Sequence, residues 1–162
     1  MITIQNFSKE DWDKIAEIYR KGIATGIATF ETKVPDWETW DSAHLHCCRF
    51  KAVMDNKIVG WAALSRISSR YVYRGVAEVS VYVDPAFKGL GIGTYLLEHL
   101  VTKSEEEGFW TLQSGIFSNN TSSIALHKKV GFREIGYREK IGQLNGQWYD
   151  NIIMEKRSKK IF

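Results

Sequence analysis

The segment from Val76 to Gly93 constrains the fold more than any other part of the chain. The β-branched run Val76–Val83 stops at Asp84–Pro85, glycines then alternate at Gly89, Gly91 and Gly93, and an amphipathic helix begins at once. A strand, a glycine turn and a helix N-terminus form an anion site, because free amides point out of the turn and the helix dipole favours negative charge. A side chain at these glycines would hold a phosphate away from the amides. The segment therefore predicts a ligand that carries a phosphate or pyrophosphate.

Two common phosphate-binding patterns do not fit this turn. A P-loop has Lys and then Ser or Thr directly after its last glycine, and no such pair follows Gly93. A dinucleotide fingerprint needs a glycine at its sixth position, and neither the frame from Gly89 nor the frame from Gly91 has one. The pattern that remains is Lys88-x-x-Gly91-x-Gly93.

The rest of the chain predicts strands and helices in the order βα(α)βββαβαββ. The predicted strands are Ile2–Phe7, Phe50–Met54, Ile58–Ile67, Val76–Val83, Phe109–Ile116, Phe132–Ile141 and Trp148–Glu155. The early strands follow one another as hairpins, which predicts antiparallel pairing, whereas the two later βαβ steps predict parallel pairing. The fold class is therefore α/β in the broad sense, with a central mixed, mostly antiparallel (α+β) sheet and helices on both faces.

Length and composition are those of one globular domain that spans residues 1–162, with 44% hydrophobic and 25% charged residues. The net charge of +3 is weak and lies partly in the tail Lys156–Lys160, so nucleic acid is not an expected partner. No apolar run approaches the ~20 residues of a membrane span, and the N-terminus lacks signal-peptide features, so we expect a cytoplasmic protein and no membrane contact. The adjacent Cys47 and Cys48 are poorly placed for a disulfide or a metal site.

The pattern Lys88-x-x-Gly91-x-Gly93 resembles the [QR]-x-x-G-x-[GA] acetyl-CoA signature of the GCN5-related N-acetyltransferases (the GNAT family), with Lys in place of Gln or Arg. Five further segments are similar to one branch of that family, the phosphinothricin and methionine-sulfone N-acetyltransferases. They keep the order and approximate spacing of the branch over nearly the whole chain. These segments are Ala28–Thr32, Glu78–Val83, Asn120–Ser123, Leu126–Phe132 and Gly142-x-x-x-Gly146-x-Trp148-x-Asp150.

The resemblance implies the GNAT fold, in which the strand before the glycine turn splays from the next strand and admits the pantetheine arm. It implies an acyltransferase that moves acetyl from acetyl-CoA, without a metal, to the primary amine of a small amino-acid-like substrate. The transfer is a direct attack in a ternary complex, and the branch commonly forms homodimers. The residues implied for acetyl-CoA binding are Val81, Tyr82, Val83, Lys88, Gly89, Leu90, Gly91, Ile92, Gly93, Thr94 and Asn120.

Two side chains are implied for catalysis. Glu78 is the candidate general base, because burial within an apolar strand would raise its pKa and suit it to accept a proton at neutral pH. The alternative for Glu78 is an edge-strand charge that faces solvent. His127 stands where many GNAT enzymes carry a tyrosine that protonates the departing sulfur, and the branch has histidine there too. An imidazole with a pKa of about 6.5 is able to give this proton, and water is the alternative donor.

Two loops are implied for the substrate, with the residues Phe30, Glu31, Tyr71, Val72 and Tyr73. Arg70 or Arg74 could bind a carboxylate through a bidentate fork, or could simply be solvated. The loop Ser68–Gly75 contains no acid, which favours an anionic acceptor over a polyamine or an aminoglycoside. Trp148 is predicted either at a dimer interface beside the pocket or in the core of the last hairpin.

Two other functions fit the same motifs. One is a GNAT enzyme that acts on another amine, such as a protein N-terminus, a polyamine or an aminoglycoside. The other is an acyl-CoA-binding module without catalysis, although such a module would not need Glu78, Asn120 and His127 together.

Overall fold

The computed structural model describes residues 1–162 and contains seven strands and four α-helices in the predicted order. The strands are β1 (Ile2–Asn6), β2 (Phe50–Met54), β3 (Lys57–Arg66), β4 (Val76–Val83), β5 (Thr111–Phe117), β6 (Arg133–Leu144) and β7 (Gln147–Arg157). The helices are α1 (Trp12–Ala24), α2 (Trp37–Ala43), α3 (Ile92–Glu106) and α4 (Thr121–Lys129).

All the strands belong to one sheet with the order β1-β2-β3-β4-β5-β7-β6. β4 and β5 are parallel and every other neighbouring pair is antiparallel, so the prediction of a mixed, mostly antiparallel sheet is confirmed. The second predicted parallel pair, between β5 and β6, is wrong. β7 lies between these strands and pairs with both of them, because the last hairpin folds its second strand inward against β5.

Local signals in the sequence mark the ends of these elements. Asn145 and Gly146 both have positive φ, at 51° and 78°, which is the conformation of a two-residue hairpin turn. Asp36 Oδ1 accepts a hydrogen bond from Thr39 N at 2.8 Å and caps α2. Each of these features depends on neighbours in sequence.

Helices cover both faces of the sheet, as predicted. On one face α3 buries Leu96 and Leu100 against β2, β3 and β4. On the other face Ile18 of α1 packs into an aromatic cluster that contains Trp40 and Trp61, both 1% exposed. None of the helices combines the length and the apolarity needed to cross a bilayer.

The sheet is divided between β4 and β5. β4 pairs with β3 over seven residue pairs, and β5 pairs with β7 over another seven. β4 and β5 pair with each other over three, from Val76 opposite Thr111 to Glu78 opposite Gln113, and then diverge. The splayed strands that the resemblance implied are therefore present, with Glu78 at the point where the gap begins.

Candidate active site

The glycine turn presents a row of free backbone amides. Gly89 and Gly91 have φ of 83° and 77°, a conformation that side-chain-bearing residues rarely adopt, and Gly91 is the N-cap of α3. The amides of residues 89–94 donate no hydrogen bond within the chain. A Cβ on Gly89 would meet no atom within 4 Å, so the space above the turn is open. This cradle has the form that a phosphate or pyrophosphate requires.

The third glycine of the turn has a different role. A Cβ on Gly93 would lie 3.1 Å from Leu126 Cδ2 and 3.6 Å from Val83 Cγ2. Glycine at this position therefore lets the first turn of α3 approach β4 and α4 closely. Lys88 is exposed at the start of the turn, where its ammonium is able to reach an anion from solvent.

Asp84 fixes the turn to the rest of the fold. Its side chain is buried, accepts a hydrogen bond from Ala86 N at 3.1 Å and binds Lys21 Nζ of α1 at 3.0 Å. Burial alone would raise the pKa of Asp84, but the Ala86 amide and the Lys21 ammonium outweigh burial and hold the pKa below its ordinary value. The strand therefore ends at a defined point before the glycines.

One edge of β4 is open to the gap. Asp84 N donates a hydrogen bond to Val59 O at 2.8 Å. Asp84 therefore points its amide toward β3, and every second residue of β4 before it does the same. Because antiparallel strands alternate in this respect, Tyr82 points its amide toward β3, while Val81 and Val83 point theirs toward β5. β5 has already diverged at this level, so neither amide has a strand partner. Of the three residues implied for pantetheine binding, Val81 and Val83 thus offer free main-chain groups.

A cavity of about 440 Å³ lies where the strands diverge. Glu78, Ser80 and Tyr82 line it from β4, and the loop with Phe30 and Glu31 lines it from the opposite side. The Glu78 side chain is more than half buried, and this burial raises its pKa, while the positive charge of Arg138 opposes the rise. Glu78 therefore faces the cavity rather than bulk solvent.

His127 lines the same cavity from α4 and is 3% exposed. Its Nδ1 lies 2.7 Å from Ser123 O, and because a carbonyl only accepts, Nδ1 carries the hydrogen of the neutral ring. Nε2 is buried without a partner, and burial lowers the pKa of the imidazole. At neutral pH Nε2 is therefore a hydrogen-bond acceptor, and proton donation by His127 would require the imidazolium form.

Asn120 joins the loop that carries Phe30 and Glu31 to α4. Its Oδ1 accepts a hydrogen bond from Ser123 N at 3.3 Å and caps α4, while its Nδ2 donates to Ile27 O at 3.2 Å. The implied contact with acetyl-CoA stays a prediction. The observed contacts hold the loop that carries Phe30 and Glu31 against the end of β5.

Phe30 is wedged between two other elements. Its ring lies 4.5 Å from that of Phe117 between centroids, and a Cβ on Gly142 would come within 2.9 Å of it. Glu31 N donates to Thr29 Oγ1 at 3.1 Å, so the loop also has a turn of its own. Phe30 and Glu31 both line the cavity, and their implied contact with the substrate stays a prediction.

The second implied substrate segment lies elsewhere. Tyr71, Val72 and Tyr73 are 77%, 56% and 45% exposed and do not line the cavity. Arg74 lies over the rings of Tyr71 and Trp110, at 4.2 and 5.2 Å from their centroids. These cation–π contacts hold the loop to itself and to the start of β5, so the structure does not place its arginines at this cavity.

Other cavity residues were not anticipated from the sequence. Arg138 of β6 and Asn151 of β7 line the cavity, although nothing in their local sequence distinguishes them from surface residues. His44 stacks on Trp40 at 4.0 Å between centroids and also lines the cavity. No cluster of three His, Cys, Asp or Glu side chains with metal-binding geometry occurs in the fold.

Comparison with known proteins agrees with this geometry. The model of the acetyltransferase (GNAT) family matches residues 12–132. The phosphinothricin N-acetyltransferase of Alcaligenes faecalis is 30% identical, with 95% of this chain and 81% of that protein aligned. An L-methionine sulfoximine/L-methionine sulfone acetyltransferase of Salmonella typhimurium is 29% identical over 95% of this chain and 93% of its own.

Among solved structures, a GNAT superfamily phosphinothricin acetyltransferase from Sinorhizobium meliloti in complex with AcCoA superposes with a TM-score of 0.87. It is 28% identical, and the alignment covers 99% of this chain and 95% of that one. The fold, the glycine turn and the family match lead to the same conclusion: this chain belongs to the acetyltransferase (GNAT) family.

Proposed function

We propose that this chain is an acetyl-CoA-dependent N-acetyltransferase that acetylates the primary amine of a small amino-acid-like substrate in a ternary complex. The observation that carries the proposal is the separation of β4 from β5. It leaves the amides of Val81 and Val83 unpaired between the glycine turn on one side and the cavity with Glu78 on the other. The named relatives that act on phosphinothricin and methionine sulfone support an amino-acid-like acceptor.

In this proposal the backbone binds the cosubstrate. The amides of residues 89–94 hold the pyrophosphate at the N-terminus of α3, and the exposed Lys88 adds positive charge. Val81 and Val83 pair with the pantetheine arm as an added strand would. Bound acetyl-CoA supplies an acetyl thioester, which these contacts direct toward the cavity.

The side chains of the cavity prepare the amine and receive its proton. Glu78 takes a proton from the substrate ammonium, directly or through a water, because its raised pKa suits proton transfer near neutral pH. The Val81 amide donates to the carbonyl oxygen as negative charge develops on it. His127 holds a water at the unprotonated Nε2. When the C–S bond breaks, this water gives a proton to the departing thiolate and takes the proton that the newly bonded nitrogen releases.

One observation favours a second candidate acceptor. Glu31 at the cavity adds a second acid to Glu78, and a pocket with two carboxylates also suits a polyamine or an aminoglycoside. Arg138 in the same cavity opposes such polycations, so the amino-acid-like acceptor is the better match.

Acetyl-CoA-dependent thiol release, measured with a thiol-reactive dye, tests the acceptor class. We expect turnover with methionine sulfone, methionine sulfoximine and phosphinothricin, and none with spermidine, an aminoglycoside or an N-terminal peptide. Turnover with spermidine alone would favour the polyamine alternative. Absence of turnover in a protein that still binds acetyl-CoA would favour the non-catalytic module.

The glycine turn is tested with two alanine variants. Gly91→Ala and Gly108→Ala place the same side chain at similar φ, 77° and 90°, at the N-terminal and C-terminal ends of α3. Both should lose about 1 kcal/mol of unfolding free energy because alanine disfavours that conformation. Calorimetric titration should show weaker acetyl-CoA binding for Gly91→Ala alone. Equal affinity in the two variants would contradict the phosphate site.

The base is tested by the pH dependence of kcat/KM. Wild-type kcat/KM should rise with pH through the Glu78 pKa, which lies above the ordinary carboxyl value. Glu78→Gln should lower kcat/KM about 10²- to 10⁴-fold at neutral pH, and the deficit should shrink at alkaline pH, where the amine is already neutral. Glu31→Gln, which removes the other acid of the cavity, should keep the rise of kcat/KM with pH that the wild type shows. A deficit independent of pH would exclude Glu78 as base.

We also propose that the chain acts as one acetyltransferase domain over residues 1–162, as a homodimer, in the cytoplasm. The last hairpin exposes Tyr137, Ile141 and Trp148 by more than half, which suits a second copy, and the free thiols Cys47 and Cys48 suit a reducing compartment. Sedimentation velocity should show a dimer for the wild type and a monomer for Trp148→Glu. A monomeric wild type would overturn the homodimer.

A further inference from the structure

His44 lies at the end of the cavity that is farthest from the gap between β4 and β5. Leu45 N donates a hydrogen bond to Leu64 O at 2.8 Å, so the chain at His44 runs beside the last residues of β3. Ser65 of β3 is the direct partner of Glu78 on β4, and both residues line the cavity. The backbones at His44 and Glu78 are therefore separated by two strand spacings, or about 10 Å, with Ser65 between them.

The imidazole of His44 is held in one orientation. Its ring stacks on Trp40 with 13° between the ring planes and 4.0 Å between the centroids. Its Nδ1 lies 2.7 Å from Trp40 O, and because a carbonyl only accepts, Nδ1 carries the hydrogen of the neutral ring. Arg49 Nη2 donates to His44 O at 3.2 Å and fixes the backbone as well. The two ring nitrogens therefore cannot exchange places without breaking the bond to Trp40.

Nε2 of His44 is a hydrogen-bond acceptor that the chain leaves free. The bond to Trp40 O is the one hydrogen bond that the imidazole makes. Burial lowers the pKa of His44, the charge of Arg49 lowers it further, and the Trp40 carbonyl opposes both effects. The ring is therefore neutral at neutral pH, with a lone pair on Nε2. A fixed acceptor thus stands at this end of the cavity.

We propose that His44 Nε2 accepts a hydrogen bond from an N–H or O–H group at the far end of the acceptor substrate and thereby selects among acceptors. The inference rests on the proposed function and specifies a group of the acceptor that is distant from the reacting amine. In that function the amine lies at Glu78, so the rest of the molecule extends over Ser65 toward His44. The separation of about 10 Å suits a short side chain followed by one hydrogen bond of about 2.9 Å.

A fixed lone pair distinguishes a hydrogen-bond donor from an acceptor. A substrate group that displaces solvent from Nε2 keeps the hydrogen bond only if it carries a hydrogen. An oxygen without a hydrogen leaves the imidazole unpaired, which weakens binding of the substrate and of the transition state. The hydroxyl of Ser65 rotates and either donates or accepts, so it does not discriminate. The preference at this end of the cavity therefore comes from His44.

Methionine sulfoximine and methionine sulfone test this selection, because the sulfoximine carries an N–H where the sulfone carries an oxygen. The measured quantity is the ratio of kcat/KM for the sulfoximine to kcat/KM for the sulfone. The contributions of Glu78 and of the common α-amino group cancel in this ratio. The wild type should favour the sulfoximine about 5- to 50-fold, the range expected when a partly enclosed acceptor is left unpaired.

Two variants of His44 and one control assign the preference to Nε2. His44→Phe keeps an aromatic ring against Trp40 and removes Nε2, whereas His44→Gln offers an amide that either donates or accepts. Both variants should acetylate the two substrates with nearly equal kcat/KM. His44→Gln retains a donor for Trp40 O, so it serves as the test if His44→Phe does not fold. His46→Gln changes an exposed histidine that does not line the cavity and should keep the wild-type ratio.

The outcomes separate this inference from the proposed function. A wild type that acetylates both substrates equally or prefers the sulfone would overturn the selection by His44 and leave the acetyltransferase intact. A preference for the sulfoximine that persists in the folded His44 variants would do the same. An equal loss in His46→Gln would also overturn the inference, since a histidine outside the cavity would then have the same effect. A wild type that binds acetyl-CoA and acetylates neither substrate would overturn both.

Discussion

The separation of β4 from β5 is the constraint on which the site depends. On its other side β4 pairs with β3 from Ala77 to Val83, and β5 pairs with β7 along its whole length, so the sheet consists of two well-bonded parts that share a short parallel seam. The seam is closed at one end, where Gly75 O accepts hydrogen bonds from Trp110 N and Thr111 N. Because both parts twist, they diverge from that end. The unpaired amides along β4 are a consequence, and they make this edge a place where a ligand with its own amides completes the sheet.

The charges of the cavity follow from where it lies in the fold. Glu78 is the last β4 residue paired with β5, so its carboxylate is enclosed enough for burial to raise its pKa, yet it still faces open space. Arg138 reaches the cavity from the far edge of the sheet and moderates that rise. His127 is buried deeply enough to stay neutral and keeps a free nitrogen. The cavity thus brings together a carboxyl group with a raised pKa, one arginine and a neutral imidazole.

The sequence predicted what depends on near neighbours and missed what depends on distant ones. The glycine turn, the helix caps and the turn at Asn145–Gly146 are written in a few consecutive residues, and all are observed. The insertion of β7 beside β5 and the position of Arg138 depend on pairing between segments that are far apart in the chain. Tyr71 lies against Arg74 of its own loop, a contact that local periodicity does not report, and its predicted place at the substrate stays a prediction.

The motif Gly142-x-x-x-Gly146-x-Trp148-x-Asp150 gains a physical meaning from the cavity wall. Gly146 forms the hairpin turn, but Gly142 is small because the ring of Phe30 occupies the space a side chain would need. Asp150 accepts from Lys140 N and from the Tyr137 hydroxyl, and so holds the bulge that lies between Arg138 and Gly142. One hairpin therefore shapes the cavity twice, through the loop that carries Phe30 and through the strand that carries Arg138. Gly142 and Asp150 therefore help to set the positions of the Phe30 ring and of Arg138 at the cavity wall.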